Sequence, residues 1–134
     1  LKTMLKIGAN KEELNIVDDQ IGCPTYAQDI AKAIQSMLPN LALNTMDSGI
    51  FHFCGDSAFT WHEFAKSIFK EASAYGIKTP KKINAIKSSD FLTPAVRPAY
   101  SVLECSKIKN MFNINPSNLK SGIKKVLKKL ETND

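Results

Sequence analysis

Arginine is almost missing from this chain: of its 18 basic residues, only Arg97 is an arginine. The planar fork that grips phosphates and carboxylates is therefore confined to one place. No apolar run approaches the roughly 20 residues that cross a bilayer as a helix, which excludes a membrane-spanning helix. The first residues, Leu1-Lys2-Thr3-Met4, carry neither an initiator methionine nor a signal peptide, and the expectation is a fragment of a longer protein. Cys23, Cys54 and Cys105 lie far apart in sequence with no C-x-x-C pair. They read as reduced thiols of a cytoplasmic protein, without a metal or redox motif.

Two catalytic signatures are also missing. The glycines at 8, 22, 49, 55, 76 and 122 have no G-x-x-G-x-x-G-like spacing, so the turn that brings backbone amides to a dinucleotide pyrophosphate is absent. The residues four past Tyr26, Tyr75 and Tyr100 are Ile30, Thr79 and Glu104. None is the lysine that would lower a phenol's pKa for proton donation. His62-Glu63-Phe64-Ala65-Lys66 falls one ligand short of the zinc pattern H-E-x-x-H, which leaves His62 and Glu63 a role in a helix's first turn. Asp18 and Asp19 are adjacent, point to opposite sides of a strand and make a polar strand end rather than an acid/base pair. His52 reads as a strand histidine.

What is present is a chain of 134 residues, 43% hydrophobic and 23% charged, enough for one folded unit with a real core. The net charge of +5 gathers in the lysines after Glu104. That stretch has one aromatic, Phe112, and no arginine. The pattern fits a solvated helix face, with a nucleic-acid footprint as the rival.

The periodicity predicts a helix ending at Ile7, with Gly8 and Asn10 as turn residues, and a strand over 15–18. A second helix starts at Pro24 and Thr25, with Thr25 and Gln28 as a capping box and Ala27, Ile30, Ala31, Ile34, Met37 and Leu38 as its buried stripe. After a loop over 39–48, Gly49 to Gly55 reads as a strand. The next helix opens on a Thr60/Glu63 capping box with Phe59 and Phe64 at staple positions, and buries Trp61, Phe64, Ala65, Ile68, Phe69 and Ala72 before Gly76. A weak strand over 82–87 precedes a proline-interrupted loop over 88–101. A last amphipathic helix begins at Pro116 after Asn115. Strands alternating with helices make the class α/β.

Three segments occur in a fixed order: Val17-Asp18-Asp19-Gln20-Ile21-Gly22-Cys23-Pro24-Thr25; Gly49-Ile50-Phe51-His52 leading to Thr60-Trp61-His62-Glu63-Phe64-Ala65; and Pro94-Ala95-Val96-Arg97-Pro98-Ala99-Tyr100-Ser101. They resemble the D-Q-x-G-x-P-T, G-x-Y-H with (S/T)-W-x-x-F-A, and P-x-A-x-R-P-x-x-S elements of the dTDP-4-dehydrorhamnose reductases. These are extended short-chain dehydrogenases/reductases, and the match covers the C-terminal, substrate-binding part.

The resemblance implies reduction of a 4-keto dTDP-sugar to dTDP-L-rhamnose with NADPH, for cell-surface polysaccharide. It places Gln20, Pro24, Thr25, Arg97 and Ser101 in the dTDP-sugar site, and no catalytic residue in this chain. The Rossmann domain and the catalytic tyrosine and lysine are expected upstream of Leu1. A homodimer is a further expectation. Some members bind Mg2+ at a dimer contact through a glutamate where this chain has Gln28, whose neutral amide suits a hard cation poorly. Arg97, in a loop stiffened by prolines, can hold a diphosphate through two parallel hydrogen bonds, or pair with Asp90 or Glu104. Another sugar-nucleotide reductase or epimerase, or a non-catalytic homologue, is the alternative within the superfamily.

Overall fold

The computed structural model describes residues 1–42 and 49–132. The loop expected over 39–48 falls mostly outside them. In chain order the elements are α1 (Lys2–Asn10), β1 (Glu13–Val17), β2 (Ile21–Gly22), α2 (Ala27–Ala42), β3 (Phe59–Thr60), α3 (Trp61–Ala74), β4 (Lys82–Ile86), a 3-10 turn (Ser88–Asp90), α4 (Ser106–Phe112) and α5 (Leu119–Glu131). The alternation expected of an α/β chain is present.

β1 and β4 pair in parallel, Glu13 opposite Lys82 through Val17 opposite Ile86. Leu14 and Val17 are the buried positions of β1. Over the ladder packs α3, whose Ala65, Ile68, Phe69 and Ala72 are buried. Leu5 of α1 and Ile123 and Leu127 of α5 complete this core. The α3 start follows its sequence: Thr60 accepts from the Glu63 amide while the Glu63 carboxylate accepts from the Thr60 amide, and together they satisfy two orphan donors. Gly76 has φ of +71°, the left-handed conformation that ends a helix most easily when the residue is glycine.

Several expectations are corrected. α1 runs through Gly8 to Asn10, and Gly8 is a contact point rather than a turn. A Cβ there would lie 2.5 Å from the Phe69 ring, so α1 and α3 approach closely because position 8 has no side chain. The 49–55 segment forms no ladder, only a bridge from Gly55 to Ser117, because its carbonyl and amide partners are Ser117 and the Thr25 hydroxyl rather than a strand. α4 is missed by periodicity, being seven residues long with one buried side chain, Ile108. α5 is capped by Asn118, whose side chain accepts from the Ser121 amide. Pro116 therefore lies outside it, leading into the buried Ser117.

α2 departs furthest. It begins at Ala27 and continues through Pro39. Thr25 sits two residues before its first residue, too early to cap it. Its expected buried stripe faces outward: Ile30, Ile34 and Leu38 are 39%, 57% and 52% exposed, and Ala33 is the buried position. An apolar row records that a face can be covered, not that this chain covers it.

Candidate functional site

Two anchor points hold the loop over 88–101 against the tract around residue 20. At one end the Ser88 amide and hydroxyl donate to the Asp19 carboxylate at 3.0 Å. These bonds hold that carboxyl below its ordinary range, the amide contributing most. At the other end Ile21 N–H donates to Ala99 O and Ser101 N–H to Ile21 O, each at 2.8 Å, which makes Tyr100 a parallel partner of Ile21. β2 pairs on its other side with β3. A short three-stranded patch thus joins the three segments singled out in the sequence. Gly22 permits it, since a Cβ there would lie 2.9 Å from Ser101 Oγ.

Asp18 and Asp19 part as expected. Asp18 accepts from Thr60 Oγ1 and lies 3.5 Å from His62 Nδ1. His62 Nε2 reaches Ile83 O at 3.2 Å, so His62 links Asp18, just past β1, to the backbone of β4. Among the described residues no group of three or more His, Cys, Asp or Glu could hold a metal ion.

The patch opens onto a cleft of about 330 Å³. Gln20, Pro24, Thr25, Arg97 and Ser101 all line it. Gln20 is half-buried, and its side chain has no hydrogen bond among the described residues. Arg97 is exposed at the rim and makes no ion pair among the described residues: Asp90 accepts from Ser89, and Glu104 from the Ser106 amide and hydroxyl. Ser101 Oγ donates to Ile21 O at 3.1 Å.

Thr25 is committed to the protein. Its hydroxyl donates to Cys23 O at 2.8 Å and accepts from Gly55 N–H at 3.0 Å, so the expected box with Gln28 does not form. Gln28 instead accepts from the Tyr26 hydroxyl at 2.6 Å. The start of α2, an attractive place for an anion, is satisfied from within: Tyr26 N–H donates to Ser117 Oγ, which donates to Asp29 in the first turn.

The opposite wall is Phe53, Phe59, Trp61 and Phe64. Phe59, Trp61 and Phe64 read in the sequence as staple or core positions, yet Trp61 is 40% exposed and tilts against Phe64 with ring centroids 6.2 Å apart. The signal in sequence was an aromatic at the first helical residue, where a core role is awkward. An apolar wall facing a few free polar side chains is the usual makeup of a site for an organic ligand.

The lysines of α5 are partly used for holding the fold. Lys120 and Lys124 lie 3.8 Å from Glu71, and Lys125 lies 3.6 Å from Asp29.

An α/β unit in which a D-Q-x-G-x-P-T turn, a capped helix and an R-P-x-x-S loop converge on one cleft has the architecture of the substrate-binding part of an extended short-chain dehydrogenase/reductase. The chain belongs to the RmlD substrate binding domain family, which matches residues 1–132. It is similar to the dTDP-4-dehydrorhamnose reductase of Aggregatibacter actinomycetemcomitans, 38% identical over 128 residues, 94% of this chain and 44% of that protein. It is also similar to that of Escherichia coli K12, 34% identical over 133 residues, covering 98% and 44%.

Among solved structures, a dTDP-4-dehydrorhamnose reductase from Clostridium acetobutylicum superposes with a TM-score of 0.82 at 28% identity, covering 97% of this chain and 43% of that one. The Bacillus anthracis reductase in complex with NADP gives 0.70 at 31%, covering 92% and 41%. The chain thus spans less than half the length of the relatives it matches.

Proposed function

We propose that this chain forms the dTDP-sugar-binding part of an NADPH-dependent reductase that converts dTDP-4-dehydro-L-rhamnose to dTDP-L-rhamnose, in the cytoplasm. One observation carries the reading: the only arginine stands without an ion pair among the described residues, on the rim of the cleft that Gln20, Pro24 and Ser101 also line. In this reading Arg97 holds the diphosphate through its fork, and Gln20 offers an amide to a polar edge of the ligand. The aromatic wall takes an apolar ring face. Thr25 acts indirectly, fixing the 23–25 turn against Gly55.

The cofactor supplies the hydride when bound. The Rossmann half that holds it, with its tyrosine and lysine, is proposed to precede Leu1. Two copies are proposed to pair without a magnesium bridge, since Gln28 is a neutral amide already engaged by Tyr26. No helix among the described residues is long and apolar enough to cross a membrane.

Titration of the 134-residue chain with dTDP-L-rhamnose, read by calorimetry and by melting temperature, tests the reading. Arg97→Ala is expected to weaken binding by about 1.5–3 kcal/mol, the range for hydrogen bonds to a charged group, with the melting temperature unchanged. Arg97→Lys is expected to recover part of the loss, because a point charge cannot reproduce the fork. Unchanged affinity with a lowered melting temperature would give Arg97 to the fold instead.

A further inference from the structure

The three cysteines, far apart in sequence, meet in space. Cys54 Sγ and Cys105 Sγ are 3.5 Å apart, both as free thiols. Cys23 stands beside them, lining the ligand cleft together with Cys54 and the neighbouring hollow together with Cys105. Cys54 is 5% exposed, and its sulfur is enclosed by Gly55 O at 3.4 Å and Leu103 O at 3.5 Å. Cys105 is half-buried and opens onto that hollow. A disulfide bond is about 2.05 Å long, so the sulfurs need to close only about 1.5 Å, a movement within reach of side-chain rotation. One thiol reachable from solvent and one enclosed beside it form the arrangement in which a first adduct is resolved internally rather than persisting.

We propose that Cys54 and Cys105 form a thiol–disulfide modification site, closed by low-molecular-weight disulfides of the glutathione class, that cross-links the cleft wall to the segment entering α4. The Cys105 thiolate attacks one sulfur of the reagent, breaks its S–S bond and releases one thiolate. The Cys54 thiolate then attacks Cys105 Sγ in the mixed disulfide and displaces the second. The protein loses two electrons and two protons, and the reagent leaves as two thiols. Cys23 takes no part, and the 3.5 Å contact of Cys54 with Cys105 decides the pairing. Burial raises both thiols above their ordinary pKa, so both are protonated at neutral pH and thiolate formation controls the rate. The link joins residues 51 apart in sequence, and its Cys105 end lies four residues past Ser101, tying the downstream end of the Arg97 loop to the wall it faces.

The experiment incubates the folded wild-type chain with oxidised glutathione, alkylates the remaining thiols and maps peptides by mass spectrometry. Expected are a linked Cys54–Cys105 pair, an alkylated Cys23 and a chain lighter by two hydrogens, all reversed by dithiothreitol. Formation is expected to quicken about tenfold per pH unit below the thiol pKa. Cys23→Ser is expected to leave the link intact, and Cys105→Ser to remove it. A lasting glutathione adduct on Cys105 with Cys54 alkylated, or a Cys23–Cys54 link, would overturn the proposal. Because the mapping is done on wild-type protein, it does not depend on any variant folding.

Discussion

In the layer made by α1, β1, α3, β4 and α5, apolar side chains are covered: Ala65, Ile68, Ala72 and Leu127 show no exposure. Elsewhere in the chain, residues of the same chemistry face water. Leu92 and Val96 are fully exposed, and the Ile30, Ile34 and Leu38 row of α2 is open. The first region was readable from periodicity because its pattern and its covering surface lie in the same chain. The second has the pattern without the cover. Hydrophobicity in the first region sets stability, and in the second it leaves surface free for contact.

Substitutions can break this contrast, the most damaging falling in the covered layer. Ile68→Ala is expected to destabilise by about 2–5 kcal/mol, from lost transfer energy plus a cavity, measured by denaturant unfolding. Val96→Ser should stay within about 0.5 kcal/mol, and a comparable loss at both positions would erase the distinction. Gly8→Ala is expected to cost about 1–3 kcal/mol, since its new methyl group must displace the Phe69 ring. A neutral result would mean that α1 can shift away from α3 freely. Smaller than the Gly8 effect is that of Thr60→Ala, expected to cost about 1 kcal/mol through the lost cap. Thr60 also binds Asp18 beside the cleft, so its test pairs a melting curve with dTDP-sugar affinity, and a fall in stability alone would place Thr60 with the covered layer.

How far the sequence could be read follows the same division. α3 was legible because T-W-H-E states its cap and its apolar stripe meets partners in this chain. Arg97 was legible as a rarity, one fork among lysines in a loop stiffened by Pro94 and Pro98. Thr25 was misread because a threonine before a helix looks the same whether its hydroxyl turns to the helix or, as here, to Cys23 and Gly55. The cysteine cluster was invisible because spacing along the chain says nothing about sulfurs that meet only after Cys54 and Cys105 are folded together. The 49–55 run looked like a strand because its composition suits extended backbone, whereas a ladder depends on a neighbour that no local pattern encodes.

The loop carrying Arg97 is pinned at Ser88 to Asp19 and at Ala99 and Ser101 to Ile21, so both ends rest on bases two residues apart. Such a closed lobe is a replaceable module. Doubling its length would add only about 0.6 kcal/mol of closure entropy, and none of its residues from Ser89 to Pro98 belongs to the buried core. Its reach and its chemistry can therefore diverge among descendants of this fold while the scaffold beneath registers no change.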